Sequence, residues 1–157
     1  MQGNILLILK PEIFDHSISR ENDDDIFLSG ITIPSPDILL DQLFLDIVSV
    51  YRWPFQIDWN EYQIREQYNQ PHHFLFEPGC LKNRVDTLVD IYDGKYAEFY
   101  IVETHDEHIP ELLSLRKKEI RRKYLKNPNV ALYSLYHVSD SLTEWAREVA
   151  IYREYIG

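Results

Sequence analysis

The sequence lacks the features that define several protein classes. Its single cysteine, Cys80, excludes an intrachain disulfide framework and a Cys-rich zinc module. Its five glycines form no phosphate-binding string of the Walker or Rossmann type. No apolar run approaches the ~20 residues that span a bilayer, and Ile5–Leu9 is too short to be the core of a signal segment. We therefore expect a cytoplasmic protein that does not associate with membranes.

Basic charge is scarce and unevenly distributed. The chain has 16 Lys and Arg against 26 Asp and Glu, a net charge of −10, which argues against general nucleic-acid binding. Seven of the sixteen positive residues nevertheless lie in one short stretch: Arg116, Lys117, Lys118, Arg121, Arg122, Lys123 and Lys126. This stretch is either a solvated helix face or a place where an anionic small molecule binds.

What is present indicates one globular domain spanning residues 1–157. Apolar residues are 45% and charged residues 27% of the chain, near the average for soluble domains, and no repeat or linker interrupts it. Apolar or alternating segments predict strands over 4–10, 53–59, 96–103 and 130–137.

Helix signals alternate with these strands. Helices are predicted from Ser35 to about Tyr51, from Asn60 to Tyr68, over 81–92, from Pro110 to about Lys126, and after a capping box at Ser141–Glu144. Residues 12–34 are predicted to be irregular, with a solvated acidic cluster around Asp23–Asp25. The order predicts an α+β fold of the ferredoxin-like type, with a four-stranded antiparallel sheet covered by helices.

The segment His137-Val138-Ser139-Asp140-Ser141 is the strongest candidate for chemistry. His137 is predicted at a strand end, and Glu148 on the flank of the following helix can point back toward it. A carboxylate on one imidazole nitrogen fixes the tautomer and leaves the other nitrogen as a nucleophile. The alternative is a surface histidine beside an ordinary helix cap.

In these residues, the chain resembles a known family, the nucleoside diphosphate kinases. The histidine segment, with a glutamate eleven residues after the histidine, is similar to that family's active-site signature. The similarity extends to the helix over 146–152, to Ile8-Leu9-Lys10-Pro11-Glu12, and to Glu66-Gln67-Tyr68.

The resemblance implies a ping-pong transfer of a γ-phosphate between nucleoside di- and triphosphates, with Mg²⁺ carried on the nucleotide, and it allows for a homo-oligomer. His137 would be the phosphorylated nucleophile, oriented by Glu148 and Ser139, and Lys10 would neutralise phosphate charge beside it. Four residues would bind nucleotide: Lys10, Tyr68, Arg121 and Ser134.

The chain also departs from the family pattern. Only Asn127-Pro128-Asn129 stands where the family has a long loop with a phosphate-binding arginine. Val138 replaces a glycine, Ser134 replaces an asparagine, and the segment over 12–34 is an insertion. Two other hypotheses therefore stay open: a nucleotide-binding regulatory module without turnover, and an interaction protein that uses the acidic insertion.

Other histidines offer a weaker metal hypothesis. His72 and His73 are adjacent, which rarely suits one ion, while His105 and His108 lie among carboxylates. A solvated loop explains the second group more simply. We predict no bound metal other than the nucleotide's magnesium.

Overall fold

The fold places a four-stranded antiparallel sheet at the centre of the molecule. The computed structural model describes residues 3–15, 20–21, 24–25, 28, 30, 32, 34–47, 50–68, 81–125, 135–139 and 144–156. Its strands are β1 (Gly3–Leu9), β2 (Arg20–Glu21), β3 (Asp24–Asp25), β4 (Val50–Asp58), β5 (Tyr96–Thr104) and β6 (Tyr136–Val138). Its helices are α1 (Pro36–Leu43), α2 (Glu61–Tyr68), α3 (Leu81–Tyr92), α4 (Ile109–Tyr124), α5 (Glu144–Ile151) and α6 (Arg153–Ile156). The sheet order is β4-β5-β1-β6, and β2 pairs separately with β3.

The apolar run of β1 follows from its central position. Side chains 5–9 are fully buried because both faces of the sheet are covered. Ile5, Leu7 and Leu9 pack in one core with residues of α1 and α4. Leu6 and Ile8 pack in the other core with residues of α2 and α3. The predicted α+β, ferredoxin-like class is confirmed, and each face of β1 contributes to a different core.

One predicted helix extends too far. The helix expected to reach Tyr51 ends at Leu43, and Asp46 adopts a left-handed backbone with φ of 62°. Tyr51 instead lies in β4, where it pairs with Glu103 and is exposed. Apolar residues at helical spacing continue past the turn, so the pattern could not show where the chain changes direction.

The cap that begins α2 is confirmed. Asn60 Oδ1 accepts the Gln63 backbone N–H at 2.9 Å, and Gln63 Oε1 accepts the Asn60 N–H at 3.1 Å. This reciprocal capping box fixes the start of a helix whose last turn carries Gln67 and Tyr68, both buried. The Ser35 cap of α1 is also present, since Ser35 Oγ accepts the Ile38 N–H at 3.4 Å.

The segment over 12–34 is less irregular than predicted. Pro11–Ile13 form a buried 3₁₀ turn, and β2 pairs with β3, so Asp24 and Asp25 belong to a short ladder. Glu12 is fully buried. The predicted capping residues Ser141–Thr143, the strand residues 130–134 and the connection at 127–129 lie outside the described residues. Among the helices that the structure describes, none combines the length and apolarity needed to cross a bilayer.

Candidate functional site

The pairing of β1 with β6 brings the two ends of the chain together. Ile8 pairs with His137 and Leu9 pairs with Tyr136, so Lys10 follows β1 where β6 begins. The Lys10 backbone N–H donates to the Leu135 carbonyl at 2.8 Å, which continues this contact beyond the ladder. Because side chains alternate along a strand, His137 points to the face opposite Tyr136 and Val138, toward α2 and α5.

A buried carboxylate holds the His137 imidazole. Glu148 Oε1 lies 3.2 Å from His137 Nε2, and Ser139 Oγ donates to Glu148 Oε2 at 3.0 Å. Ser139 is itself tied to β1, since its Oγ accepts the Leu6 N–H at 2.8 Å. Glu148 is 1% exposed and His137 is 8% exposed, so both groups are well shielded from water. Bonding to both carboxylate oxygens fixes the orientation of Glu148.

A second set of polar side chains reaches the same imidazole nitrogen. The Trp59 indole N–H donates to Tyr152 Oη at 3.0 Å, and the Tyr152 hydroxyl donates to Gln67 Oε1 at 3.0 Å. The Gln67 amide nitrogen then lies 2.9 Å from His137 Nε2. Trp59, Gln67 and Tyr152 are all fully buried. His137 Nε2 therefore faces a carboxylate oxygen and an amide nitrogen together.

Arg147 ties the helix that carries Glu148 to the helix that carries Gln67. Its Nη1 donates to the Glu66 carbonyl at 3.0 Å, and its Nη2 bonds the Glu144 carboxylate at 3.1 Å. The same Nη2 is 3.8 Å from Glu148 Oε1. Arg147 thus fixes α5 against the end of α2 and adds positive charge beside Glu148.

Lys10 carries its ammonium group into an aromatic enclosure. Its Nζ lies 5.0 Å from the centre of the Tyr68 ring and 5.9 Å from that of Tyr92. The Tyr68 ring also meets His137 edge-on, with ring centres 6.0 Å apart. Ring faces stabilise a cation at such distances. Tyr68 therefore links the lysine to the histidine, and Lys10, at 2% exposed, is not the solvent-facing lysine that a strand end often carries.

Glu12 is the charged neighbour of Lys10. Its Oε1 accepts the Tyr92 hydroxyl at 3.1 Å and the Leu135 N–H at 3.0 Å. Leu135 adopts a left-handed backbone with φ of 66°, a costly conformation for a branched side chain. The Leu135 N–H donates to Glu12, and the Leu135 carbonyl accepts the Lys10 N–H. The turn over residues 10–12 therefore holds Leu135 in the conformation that begins β6.

Burial dominates the ionisation of this pair. Burial lowers the pKa of Lys10 to about 7, opposed by Glu12 and reinforced by the positive charges of Arg121 and Lys117. Burial raises the pKa of Glu12, opposed chiefly by Lys10 and by its hydrogen bonds. Both groups are therefore sensitive to any new charge that enters the site.

Arg121 belongs to α4 but lies beside β6. Its Nη2 donates to the Tyr136 carbonyl at 2.8 Å, next to His137, and burial lowers its pKa to about 10. Its charge acts on Tyr68, Glu12 and Lys10. The neighbouring basic residues Lys118, Arg122 and Lys123 are exposed, so α4 has one buried cation among solvated ones.

The structure thus brings together most of the residues singled out from the sequence. His137, Ser139, Glu148, Lys10, Tyr68 and Arg121 meet around the end of β1, while Ser134 lies outside the described residues. Sequence reasoning assigned no role to Gln67 or Glu12, although both stand in the quoted segments. Trp59, Tyr92 and Tyr152 had no sequence signal beyond their apolar character.

The exposed histidines of the β5–α4 turn lie apart from this site. His105 and His108 are exposed, and the Asp106 carboxylate accepts the His108 N–H at 2.9 Å. A shallow open groove of about 270 Å³ begins there, lined by Asp106, His108, Ile109, Glu111, Leu112 and Leu115. Within the described ranges, no three His, Cys, Asp or Glu side chains form a metal-binding group. His72 and His73 lie outside the described residues.

The fold resembles that of solved nucleoside diphosphate kinases. The Aquifex aeolicus enzyme matches with a TM-score of 0.56 and 14% identity, over 97% of this chain and 95% of that one. The Borrelia burgdorferi enzyme, solved as a transition-state mimic with vanadate and ADP, matches with a TM-score of 0.56 and 12% identity, over 96% and 86%. No family model and no curated protein sequence matches the chain. At these identities the likeness defines the class of fold, a nucleoside diphosphate kinase-like sandwich.

The buried Lys10 should make stability depend on pH. Its pKa is about 7 in the folded protein and near 10.4 in an unfolded chain, so the unfolded state binds the extra proton between these values. The free energy of unfolding of the wild type should therefore rise with pH relative to Lys10→Met, by at most about 1.4 kcal/mol per pH unit. Urea titrations from about pH 7 to pH 10 measure the difference.

Lys95→Met is the matched control, because Lys95 is exposed. Its free energy of unfolding should stay parallel to that of the wild type over the same range. Parallel curves for Lys10→Met as well would show that Lys10 keeps its proton in the folded protein.

Proposed function

We propose that the protein is a nucleoside diphosphate kinase-type phosphotransferase that moves a γ-phosphate between nucleotides through a phosphohistidine. The observation that carries the proposal is the contact between His137 and Glu148, in which His137 Nε2 lies 3.2 Å from the buried Glu148 carboxylate. When Nε2 carries the proton and donates it to Glu148, the imidazole lone pair lies on Nδ1, which then acts as the nucleophile. Ser139 supports Glu148 from its other oxygen.

The reaction runs in two half-steps at one nitrogen. The Nδ1 lone pair forms a bond to the γ-phosphorus of a nucleoside triphosphate, and the bond to the β,γ-bridging oxygen breaks. The nucleoside diphosphate leaves with that electron pair. A second diphosphate attacks the phosphohistidine, the P–N bond breaks, and neutral His137 returns. Glu148 stabilises the positive charge that develops on the ring during attack.

Cations around His137 suit the phosphate groups. Arg121 is charged at neutral pH, and the Lys10 pKa of about 7 lets an arriving phosphate draw a proton onto its amine. Tyr68 lies between Lys10 and His137, in a place to contact the phosphates. Electrostatic stabilisation of this kind supplies most of the catalysis in phosphoryl transfer.

Magnesium belongs to the substrate in this proposal. The nearest carboxylates, Glu12 and Glu148, are bonded to Tyr92, to the Leu135 backbone and to Ser139. The residues here therefore fit a metal held by the nucleotide's own phosphates, where it neutralises their charge. The proposed partners are nucleoside di- and triphosphates, and a cytoplasmic location and a homo-oligomer remain predictions from the sequence.

The second candidate function is a nucleotide-binding regulatory module without turnover. It is favoured by the sequence, in which only Asn127-Pro128-Asn129 stands where the family has its arginine-bearing loop and Ser134 stands where it has an asparagine. Losing one such phosphate contact slows a reaction by about 10²–10³-fold. Slow turnover and absent turnover are therefore the outcomes to distinguish.

The first experiment is phosphoryl uptake from ATP labelled at the γ-position. We expect magnesium-dependent label that is labile in acid and stable in base, as a phosphoramidate requires. His137→Ala should abolish it, whereas His108→Ala should retain it, because His108 is exposed and lies apart from the site. Circular dichroism verifies that both variants fold.

Nucleotide binding without label in the folded wild type would instead support the regulatory module. If the folded wild type neither binds nucleotide nor takes up label, the interaction-protein hypothesis is the one that remains. Equal label in His137→Ala and wild type would contradict the assignment of the nucleophile.

Lys10 generates a separate expectation for nucleotide binding. Above pH 7 its amine is increasingly neutral in the free protein, so binding of an anionic phosphate must take up a proton. Between about pH 7.5 and 9, above the phosphate ionisation near pH 6, the Kd of a non-hydrolysable ATP analogue should rise by up to tenfold per pH unit.

Isothermal titration calorimetry measures this dependence. Lys10→Met should bind more weakly and lose the slope, while Lys95→Met should behave as the wild type. The same slope in Lys10→Met and wild type would show that another group takes up the proton.

A further inference from the structure

His137 Nε2 has two neighbours with opposite demands. Glu148 Oε1, at 3.2 Å, can only accept a hydrogen bond when ionised and therefore requires a proton on Nε2. The Gln67 amide nitrogen, at 2.9 Å, can only donate and therefore requires a lone pair on Nε2. One nitrogen of a neutral imidazole cannot satisfy both, so one neighbour decides which ring nitrogen carries the proton. Glu148 is compensated without His137, because Ser139 donates to its Oε2 and the Arg147 guanidinium lies 3.8 Å from its Oε1. Gln67 makes the shorter contact with Nε2, and its amide is oriented from behind.

The direction of the hydrogen bonds behind Gln67 is set at their far end. An indole N–H only donates, so Tyr152 Oη must accept from Trp59 and has its own proton to give. That proton goes to Gln67 Oε1, which turns the amide N–H₂ toward His137. If the Gln67 amide were flipped, Tyr152 Oη would accept from both Trp59 and Gln67. The Tyr152 hydroxyl proton would then no longer have Gln67 Oε1 as its acceptor.

We propose that Gln67 is a positioning residue that holds neutral His137 in the tautomer with its proton on Nδ1. Trp59 and Tyr152 orient the Gln67 amide, and the amide donates to Nε2. The catalytic consequence rests on the proposed function. Attack through Nδ1 needs its lone pair, so a proton must leave Nδ1 and one must bind Nε2, with no net change in ring charge. Gln67 therefore restrains phosphorylation of His137 until Glu148 takes Nε2.

The Gln67 contact is separable from the packing around it. Gln42 of α1 is a half-buried glutamine whose amide bonds the Tyr124 hydroxyl at 3.1 Å, in the core on the other face of the sheet. Gln42→Leu therefore makes the same substitution away from His137 and leaves the cap of α2 intact. Tyr152→Phe removes the hydroxyl group whose proton orients Gln67, while the aromatic ring stays in place.

The test is the proton position on His137 in long-range ¹H–¹⁵N spectra of protein labelled at histidine. Spectra are recorded where the ring's own titration shows it to be neutral, and His137→Ala assigns the signals. We expect the wild type and Gln42→Leu to carry the proton on Nδ1. Gln67→Leu should move it to Nε2, and Tyr152→Phe should move it in part. Loss of one neutral hydrogen bond changes such a population by about fivefold to tenfold.

The rate of label uptake from ATP gives the second readout. Gln67→Leu should raise it by about fivefold or more, whereas Gln42→Leu should not. A proton on Nε2 in the wild type, or the same tautomer in wild type and Gln67→Leu, would overturn the inference. If circular dichroism shows that Gln67→Leu does not fold, Gln67→Met and Tyr152→Phe provide the test, through the same shift of the His137 proton from Nδ1 to Nε2.

The two proposals fail separately. A tautomer that shifts as expected, in a protein that takes up no label, supports the role of Gln67 and rejects the phosphotransferase. Label on His137 with a tautomer indifferent to Gln67 supports the phosphotransferase and rejects the role of Gln67.

Discussion

Glu12 places its carboxylate in the interior between the end of β1 and the start of β6, where three parts of the chain share it. It accepts the Tyr92 hydroxyl and the Leu135 N–H, and its charge acts on Lys10. A buried charge is costly unless it is bonded and compensated, so these contacts constrain one another. Leu135 is held in a left-handed conformation at the start of β6, and that start fixes where His137 lies. The position of His137, the proposed nucleophile, thus depends on the Glu12 carboxylate, which bonds the chain two residues earlier at Leu135.

The same burial leaves the site ready for a highly charged ligand. Lys10 and Arg121 have lowered pKa values because burial disfavours their charged forms, and Glu12 compensates them only in part. In the proposed function, a nucleotide phosphate brings the negative charge that these cations lack, although the protein as a whole is acidic. His137 has the opposite arrangement, with a carboxylate and a donor amide both at Nε2. The site therefore combines two buried cations that are only partly compensated with two competing partners at one imidazole nitrogen.

Local patterns predicted the parts of the molecule that local physics decides. The apolar run of β1, the Asn60 cap and the glutamate eleven residues after His137 each follow from short-range rules, and the α+β class followed from their order. The end of α1 did not, because the turn at Asp46 leaves no trace in apolar spacing. Glu12 was placed at the start of an irregular segment and given no role, since nothing in the sequence shows that Tyr92 and Leu135 lie beside it. Gln67 was quoted only as the neighbour of Tyr68, because its partner Tyr152 is distant in sequence and was noted only as part of the helix that resembles the family.

The central claim is that His137 carries a phosphoryl group between two nucleotides, and the return step tests it most directly. Protein incubated with magnesium and ATP is freed of nucleotide and mixed with a different nucleoside diphosphate, and the products are separated by chromatography. The account predicts a new triphosphate in an amount equal to the phosphohistidine that disappears. Phosphohistidine that decays only to inorganic phosphate, with no new triphosphate, would contradict it.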